Sequence, residues 1–273
     1  MTVVAALKNV RTALYIPASN SRALQKARSL DADMVILDLE DAVPDESKAE
    51  ARQTAITETA ARFPGKLVAL RLNALDSAHF ADDLAAAKAA QVDAYVLPKI
   101  ETAEALDSVS LPKPLLAMIE TPIGIYNARA IAAHPSVVGL IAGMNDFCAE
   151  TGIRPGPERQ GLELALQSIV LAAAAAGKPA FDGVNNQLDD LAGFERECGQ
   201  GRCYGFTGKT VIHPNQIAIA NEGFGPDAAE LEAARELIAA ASGGAQRFQG
   251  RMIESMHVEQ AKRTIERASD RTG

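Results

Sequence analysis

Apolar and polar positions alternate along this chain in blocks. Short runs that are apolar on both faces are followed by longer stretches with helical spacing. Thr12 to Pro17 reads as a strand, Ser21 to Ser29 as a helix, and Met34 to Leu39 (MVILDL) as a second strand, apolar on both faces as in a buried parallel sheet. From Ser47 onward, Arg52, Ala55, Ile56, Thr59, Ala60 and Phe63 recur at helical spacing until Pro64-Gly65 stops the run before a strand from Leu67 to Leu72. A helix Ala78 to Ala89, a strand Ala94 to Pro98, a short helix after Glu101 and a strand Leu115 to Ile119 continue the alternation. Next come a helix Ile123 to Ala132, a strand Val137 to Ala142 and a long helix from about Glu158 to Ala176. A strand Pro179 to Val184, a helix Leu188 to Cys198 and a strand Thr210 to Ile212 complete the series.

Eight strand-helix units in roughly 220 residues predict an α/β fold of the (β/α)8 TIM barrel type, because a doubly wound open sheet uses fewer strands. Residues 1–225 are assigned to this barrel as the catalytic domain, and residues 226–273 to a C-terminal helical extension. In the extension, Pro226 to Ala241 places Leu231, Ala234, Ile238 and Ala241 on one face, and a last helix runs from His257 to Ala268. Such an apolar stripe outside a closed barrel packs on that barrel or on a neighbouring subunit.

With 273 residues, 48% of them hydrophobic, the chain can bury a large core. Its net charge of −8, without any block of basic residues, argues against nucleic acid or an anionic membrane as partner. The most apolar helical stretch, Ile169 to Ala176, is too short to span a bilayer. The first residues lack a charged segment leading into a long apolar one, so no secretion signal is read. Cys148, Cys198 and Cys203 form no CxxC pair and read as reduced thiols, which sets the expected compartment as the cytoplasm.

The candidate chemistry gathers where barrel enzymes place it, at the carboxyl ends of the strands. The stretch LLAMIETPIG runs from a buried strand into Glu120 and a Thr-Pro-x-Gly turn, and Val137 to Ala142 runs through Gly143, Met144 and Asn145 into Asp146. Two neighbouring parallel strands would bring these two carboxylates together on one hard cation. The other strand ends supply Asp38, Glu40 and Asp41, Arg71 and Asn73, Lys99, Asp182 and His213. Singly, each is as easily a surface charge or half of an ion pair. Together, two cations among so many acids point to a divalent metal beside an anion anchor, since the bare acids would repel one another. Carboxylates without converging His or Cys suit Mg²⁺ or Mn²⁺, which leaves Glu120 and Asp146 as ligands and Arg71 as the group that grips a substrate oxygen. Thr207-Gly208-Lys209-Thr210 resembles the end of a phosphate-binding loop, but it precedes a strand instead of following one, so that reading is rejected.

RTALYIPASN, VILDLEDAVPDESKAEAR, LRLNAL, LPKIET, AMIETPIG and GFTGKTVIHPNQI, in this order, resemble the citrate lyase beta-subunit family of the HpcH/HpaI aldolase superfamily, from Arg11 to about Ala268. The resemblance implies a (β/α)8 barrel, assembled as a homotrimer or a dimer of trimers. It also implies an Mg²⁺-dependent lyase that cleaves or forms citryl, malyl or citramalyl thioesters of coenzyme A, giving an acetyl thioester and a 2-oxoacid. Carried onto this chain, the metal ligands fall on Glu120 and Asp146 and the substrate arginine on Arg71. Glu40 and Asp41 match pocket-lining acids, and Lys99 and Asp38 match positions that hold the site together. Ser19, Asn20 and Arg22 match a loop that meets the carrier's nucleotide. Glu254, in RMIESMH, stands where relatives carry an aspartate that reaches a neighbouring subunit's site as acid/base. Asn145 stands where many relatives carry a glutamate, and Asn185-Asn186-Gln187 replaces an acidic pattern. A metal-dependent aldolase acting on free 2-oxoacids, and a non-catalytic ligand-binding homologue, remain open beside the lyase reading.

Overall fold

A computed structural model describes residues 2–269. It contains eight parallel strands hydrogen-bonded in sequence order into a closed barrel: β1 (Thr12–Pro17), β2 (Met34–Asp38), β3 (Leu67–Arg71), β4 (Ala94–Leu97), β5 (Leu115–Ile119), β6 (Val137–Ala142), β7 (Ala180–Asp182) and β8 (Gly208–Val211), which pairs back with β1. Around them run α2 (Ser21–Ala27), α3 (Lys48–Ala60), α4 (Phe80–Ala89), α5 (Pro122–Ala133), α6 (Met144–Thr151), α7 (Glu163–Ala175), α8 (Leu191–Tyr204) and α9 (Asn215–Phe224), after a short leading helix, α1 (Val3–Leu7). No described helix is long and apolar enough to cross a membrane.

The barrel is filled because alternate strand residues point inward. Ala13, Met34, Ile36, Ala69, Val96, Leu116, Met118, Val138, Ile141 and Phe181 form one buried cluster, and Leu7 of α1 joins it, with Val3 and Val4 packed against it. Each large apolar side chain taken fully out of water here adds about 1.5–3 kcal/mol to the drive for folding. Strand register then decides which polar residues meet at the strand ends. It pairs Asp38 with Arg71 across β2 and β3, Ile119 with Ala142 across β5 and β6, and Asp182 with Lys209 across β7 and β8.

The chain divides into two compact units, Met1–Gly223 and Phe224–Gly273. Within the second unit, α10 (Ala228–Ala240) opens with a capping box between Asp227 and Glu230. A short antiparallel hairpin of β9 (Gln246–Phe248) and β10 (Arg251–Ile253) leads to α11 (Ser255–Ser269), which packs on α10.

Three local expectations are corrected. The long helix expected from about Glu158 to Ala176 starts only at Glu163, as α7, and an unanticipated helix, α6, stands before it: α6 ends on Gly152 in the left-handed region (φ 73°), and Pro155 and Pro157 keep the following segment out of helix. The helix expected after Glu101 is a single 3-10 turn, Glu104–Leu106. Strand eight begins at Gly208, two residues earlier than the apolar run suggested. A Cβ there would lie 2.4 Å from the Val10 carbonyl oxygen, so only glycine lets the chain approach where the barrel closes.

Candidate active site

A cavity of about 260 Å³ opens at the carboxyl ends of the strands, lined among others by Tyr15, Asp38, Asp41, Arg71, Met118, Glu120, Asp146, Val184, Asn186, Thr210 and Ile212. Arg71 is its best-anchored charge. The register that places Arg71 beside Asp38 yields a two-pronged pair, Nε donating to Oδ1 and Nη2 to Oδ2, each at 2.6 Å. The ring of Tyr15 stacks 4.9 Å from the guanidinium carbon. Burial works against the charge of Arg71, but Asp38 outweighs it and holds the guanidinium well above its usual range. Only Nη1 is left facing the acids of the next turn, 2.7 Å from Glu40 Oε2 and 3.5 Å from Asp41 Oδ2. Asp38 is fully occupied, since it also accepts the backbone N–H of Glu40 at 2.9 Å and of Ala42 at 3.2 Å.

Glu40 is different. Its Oε2 is close to Arg71 Nη1 in charge terms, yet no donor N–H is directed at it, and this buried oxygen takes no hydrogen bond among the described residues. Burial, only partly opposed by Arg71, pushes its carboxyl up to about 8. The Lys48 ammonium pins the turn by donating to the carbonyls of Leu39 (2.9 Å) and Glu40 (3.1 Å).

Glu120 lies across the cavity, 3% exposed. Thr121 caps α5 by accepting from Gly124 N–H at 3.0 Å, and Pro122 follows at the first helical position, so the Thr-Pro-x-Gly turn fixes where Glu120 leaves the strand. Lys99, left-handed at φ 53°, aims its backbone N–H at Glu120 Oε1 (2.7 Å), while its ammonium sits 4.0 Å from Asp146 Oδ2. On the other side Gly143 leaves the room that Glu120 needs; a Cβ there would fall 2.3 Å from Oε2. Burial first, then repulsion from Asp146, raises the Glu120 carboxyl to about 7 against the Lys99 N–H that stabilises its anion.

Among the described residues, no three His, Cys, Asp or Glu side chains gather into a ready-made metal cage. The donor set that is present, two carboxylates from adjacent strand ends with space beside them, fits magnesium, which takes one or two carboxylates and completes its shell with water and substrate oxygens. A buried carboxyl that holds its proton near neutrality because Arg71 and Lys99 offset its burial only in part is also what such an ion would relieve.

The structure therefore brings together Asp38, Glu40, Asp41, Arg71, Lys99, Glu120 and Asp146. Three expected rim residues fall elsewhere. Asp182 is fully buried away from the cavity, gripped by Arg159 Nη1 (2.8 and 2.9 Å) and Lys209 Nζ (2.9 Å). Asn73 is buried against Asp83 and the Leu39 carbonyl. His213 accepts the Asn215 N–H at 3.2 Å, a turn-forming role. Ser19 and Asn20 follow β1 without lining the cavity, and Asn20 Oδ1 caps α2 by accepting from Ala23 at 3.0 Å. Glu254 belongs to the second unit, where its backbone N–H donates to His257 Nδ1 at 3.0 Å. Not anticipated were Tyr15 and Met118, which form the cavity wall under Arg71 and are bonded to each other at 3.6 Å, and the amide pair Asn145 and Asn186, in which Asn186 Nδ2 donates to Asn145 Oδ1 at 2.9 Å. Their signal lay in position alone: Tyr15 and Met118 point inward near strand ends.

A family model described as HpcH/HpaI aldolase/citrate lyase matches residues 11–214. The chain is 42% identical over 269 residues to a (3S)-malyl-CoA thioesterase of Cereibacter sphaeroides, covering 94% of each. It is 32% identical to the mitochondrial citramalyl-CoA lyase of Homo sapiens, covering 93% of this chain and 84% of that one. Among solved structures, CitE from Mycobacterium tuberculosis in complex with magnesium, acetoacetate and coenzyme A superposes with a TM-score of 0.83 at 30% identity, over 96% of this chain and 100% of that chain.

Proposed function

Because the chain belongs to the HpcH/HpaI aldolase/citrate lyase family, we propose that it is a magnesium-dependent carbon-carbon lyase. It cleaves, or in reverse forms, a 3-hydroxyacyl thioester of coenzyme A, giving acetyl-coenzyme A and a 2-oxoacid. The observation that carries this reading is the cavity's charge arrangement: two carboxylates under strain from each other, Glu120 and Asp146, opposite an arginine prong fixed by Asp38. Glu120 and Asp146 hold the metal, with Mn²⁺ as its substitute; when bound, it supplies a Lewis acid for the carboxylate and hydroxyl oxygens of the acid half. Arg71 Nη1 steadies the charge that builds on the oxygen as the carbon-carbon bond breaks. Asp38 keeps the guanidinium from turning away, and the Lys99 backbone keeps Glu120 in place. Glu40 and Asp41 border the same space, and Glu40, holding its proton near neutrality, keeps that edge from adding another full negative charge.

The carbon that leaves becomes a thioester enolate and needs a proton. Glu254 of a neighbouring subunit is proposed as its donor, and as the base in the condensing direction, which makes the working form a homotrimer or a dimer of trimers. The outer face between α5 and α7 supports assembly: Tyr126, Leu164 and Leu171 are 89, 80 and 66% exposed there, along a groove of about 580 Å³. Ser19, Asn20 and Arg22 are assigned to the carrier's nucleotide, and the compartment to the cytoplasm.

A second reading has a specific basis in the relatives named (3S)-malyl-CoA thioesterase, in which water would attack the thioester carbonyl instead. One experiment separates the two. Citryl-, malyl- and citramalyl-coenzyme A are each incubated with the protein, with and without Mg²⁺, and the products are resolved. Acetyl-coenzyme A with a 2-oxoacid establishes the lyase; free coenzyme A with the intact hydroxyacid establishes the hydrolase. Release of neither from any member, by folded and metal-loaded protein, overturns both.

A further inference from the structure

Arg71 spends Nε and Nη2 on Asp38, but its third nitrogen is poorly used. The hydrogens of Nη1 are directed at Asp41 Oδ2 (3.5 Å) and at Met118 Sδ (4.0 Å), both at the outer limit of hydrogen bonding. A second donor meets the same sulfur. The Tyr15 hydroxyl, from β1, donates to Met118 Sδ at 3.6 Å, and this is its only hydrogen bond among the described residues.

A thioether is a weak acceptor, so a phenol whose partner is a sulfur keeps most of its capacity to donate. Burial, only partly opposed by Arg71, holds the Tyr15 phenol protonated well above the usual tyrosine range, which makes it a donor and not a base. Its position is fixed on two sides. The backbone of Tyr15 is registered beside Ile36 of β2, and its ring lies 4.9 Å from the Arg71 guanidinium carbon. Tyr15, Arg71 and Met118 all line the cavity, and Glu120 lies two residues beyond Met118. Two donors from two strands thus converge on one sulfur next to the proposed metal ligands.

We propose that the Tyr15 hydroxyl is a catalytic donor working beside Arg71 Nη1, and that both leave the Met118 thioether to hold one oxygen of the acid half. That oxygen is the hydroxyl of the 3-hydroxyacyl thioester and the carbonyl of the 2-oxoacid. The proposal rests on the lyase reading above. It also gives Met118 a role of its own, as a resting acceptor that keeps both donors aimed into the cavity and yields them at small cost when an oxygen arrives. A carboxylate or an amide in its place would compete with the substrate for the same two donors.

The test compares Tyr15→Phe and Tyr15→Leu with the parent protein. Tyr15→Phe keeps a ring under the Arg71 guanidinium and removes only the hydroxyl, whereas Tyr15→Leu removes both. On whichever of citryl-, malyl- and citramalyl-coenzyme A the parent cleaves, Tyr15→Phe is expected to lower kcat by roughly 10- to 100-fold, the range for one hydrogen bond to an oxygen that carries charge. A loss confined to Tyr15→Leu would make Tyr15 a support for Arg71 and overturn the donor. Titration calorimetry with glyoxylate, pyruvate and oxaloacetate in the presence of Mg²⁺ gives a readout that needs no turnover. A 2-oxoacid that binds the parent is expected to bind Tyr15→Phe about 3- to 10-fold more weakly, the scale of one neutral hydrogen bond lost, and unchanged binding overturns the donor. With four tyrosines and no tryptophan in the chain, the same titration is legible in the tyrosine absorbance: the parent's band is expected to shift and that of Tyr15→Phe to stay, and equal shifts overturn the donor. A parent that binds a 2-oxoacid through Tyr15 yet cleaves no thioester keeps the donor and loses the lyase. A parent that cleaves one, matched by Tyr15→Phe, keeps the lyase and loses the donor, and a parent that neither binds nor cleaves overturns both.

Discussion

Two clusters of buried charge sit at the ends of neighbouring strand pairs in one barrel, and strand register builds both in the same way. Across β7 and β8 it sets Asp182 beside Lys209; across β2 and β3 it sets Asp38 beside Arg71. The first cluster is balanced. Arg159 and Lys209 face Asp182 and Glu197, Lys209 Nζ has two carboxylates and the Gly183 carbonyl as acceptors, and Asp182 also takes the Gly183 N–H at 2.9 Å. Burial pushes the Asp182 carboxyl up, but Lys209 and Arg159 outweigh it, so its pKa lies below the usual range. The second cluster is unbalanced. Arg71 and the half-exposed Lys99 ammonium face five acids, Asp38, Glu40, Asp41, Glu120 and Asp146, one Glu40 oxygen takes no hydrogen bond among the described residues, and two carboxyls hold their protons to about 7 and 8. Burial of charge therefore does not mark the working site. Unsatisfied charge next to open space does.

The contrast predicts opposite responses. Lys209→Met leaves Asp182 and Glu197 buried without their shared cation, and a loss of about 3–5 kcal/mol is expected in urea unfolding. A variant as stable as the parent would show that this cluster is not what holds β7 and β8 in place. Glu120→Gln removes a carboxylate that folding already disfavours, so stability at pH 8 is expected to stay level or rise. Metal-dependent turnover should fall by roughly 100-fold or more, the scale for losing one preorganised electrostatic group in an active site. Strong destabilisation with activity retained would reverse the assignment of the two clusters.

A smaller effect is expected where the site depends on space instead of charge. Gly143→Ala places a methyl within 2.3 Å of Glu120 Oε2, which must then swing or retreat. Magnesium affinity, measured by titration calorimetry, is expected to weaken about tenfold, the lower end of what misplacing a metal ligand costs. Unchanged affinity would mean that Glu120 is not held from the Gly143 side.

The same contrast accounts for what could be read from the chain. Alternating runs such as MVILDL and LLAMI identified the barrel, because strands buried on both faces leave no other reading once eight of them recur. Arg71 and Glu120 were legible because the first ends β3 and the second directly follows β5, and Asp146 because it comes within one turn after β6. Asp182 was legible as a rim acid by the same rule, and there the rule failed: its partners Arg159 and Lys209 lie 23 and 27 residues away, and only the closed barrel brings them together. Helix α6 was not visible because eight residues, MNDFCAET, are too few to show a helical period, and although Asn145 and Asn186 each stood out as departures from the family pattern, their pairing across 41 residues could not be read.

The sign of the pH response offers the finest test. A carboxyl whose pKa is raised by folding binds its proton more tightly in the folded state, so stability falls as pH rises from the unfolded value through the folded one. For Glu40 and Glu120 that window runs from about 4.5 to about 8 and about 7. Asp182 is shifted the other way, and its contribution is lost only on the acid side, below the usual aspartate range. In the presence of EDTA, the thermal midpoint is expected to drop between pH 5 and pH 8.5, with each fully shifted carboxyl contributing up to about 1.4 kcal/mol per pH unit across its window. Glu40→Gln removes one such carboxyl and should flatten the slope, most visibly above pH 7. Magnesium, by binding the ionised Glu120, should restore part of the loss at the alkaline end. A midpoint that rises or stays level from pH 5 to 8.5 without metal would show that the acids around Arg71 are as well compensated as Asp182, and the distinction between the two clusters would fall.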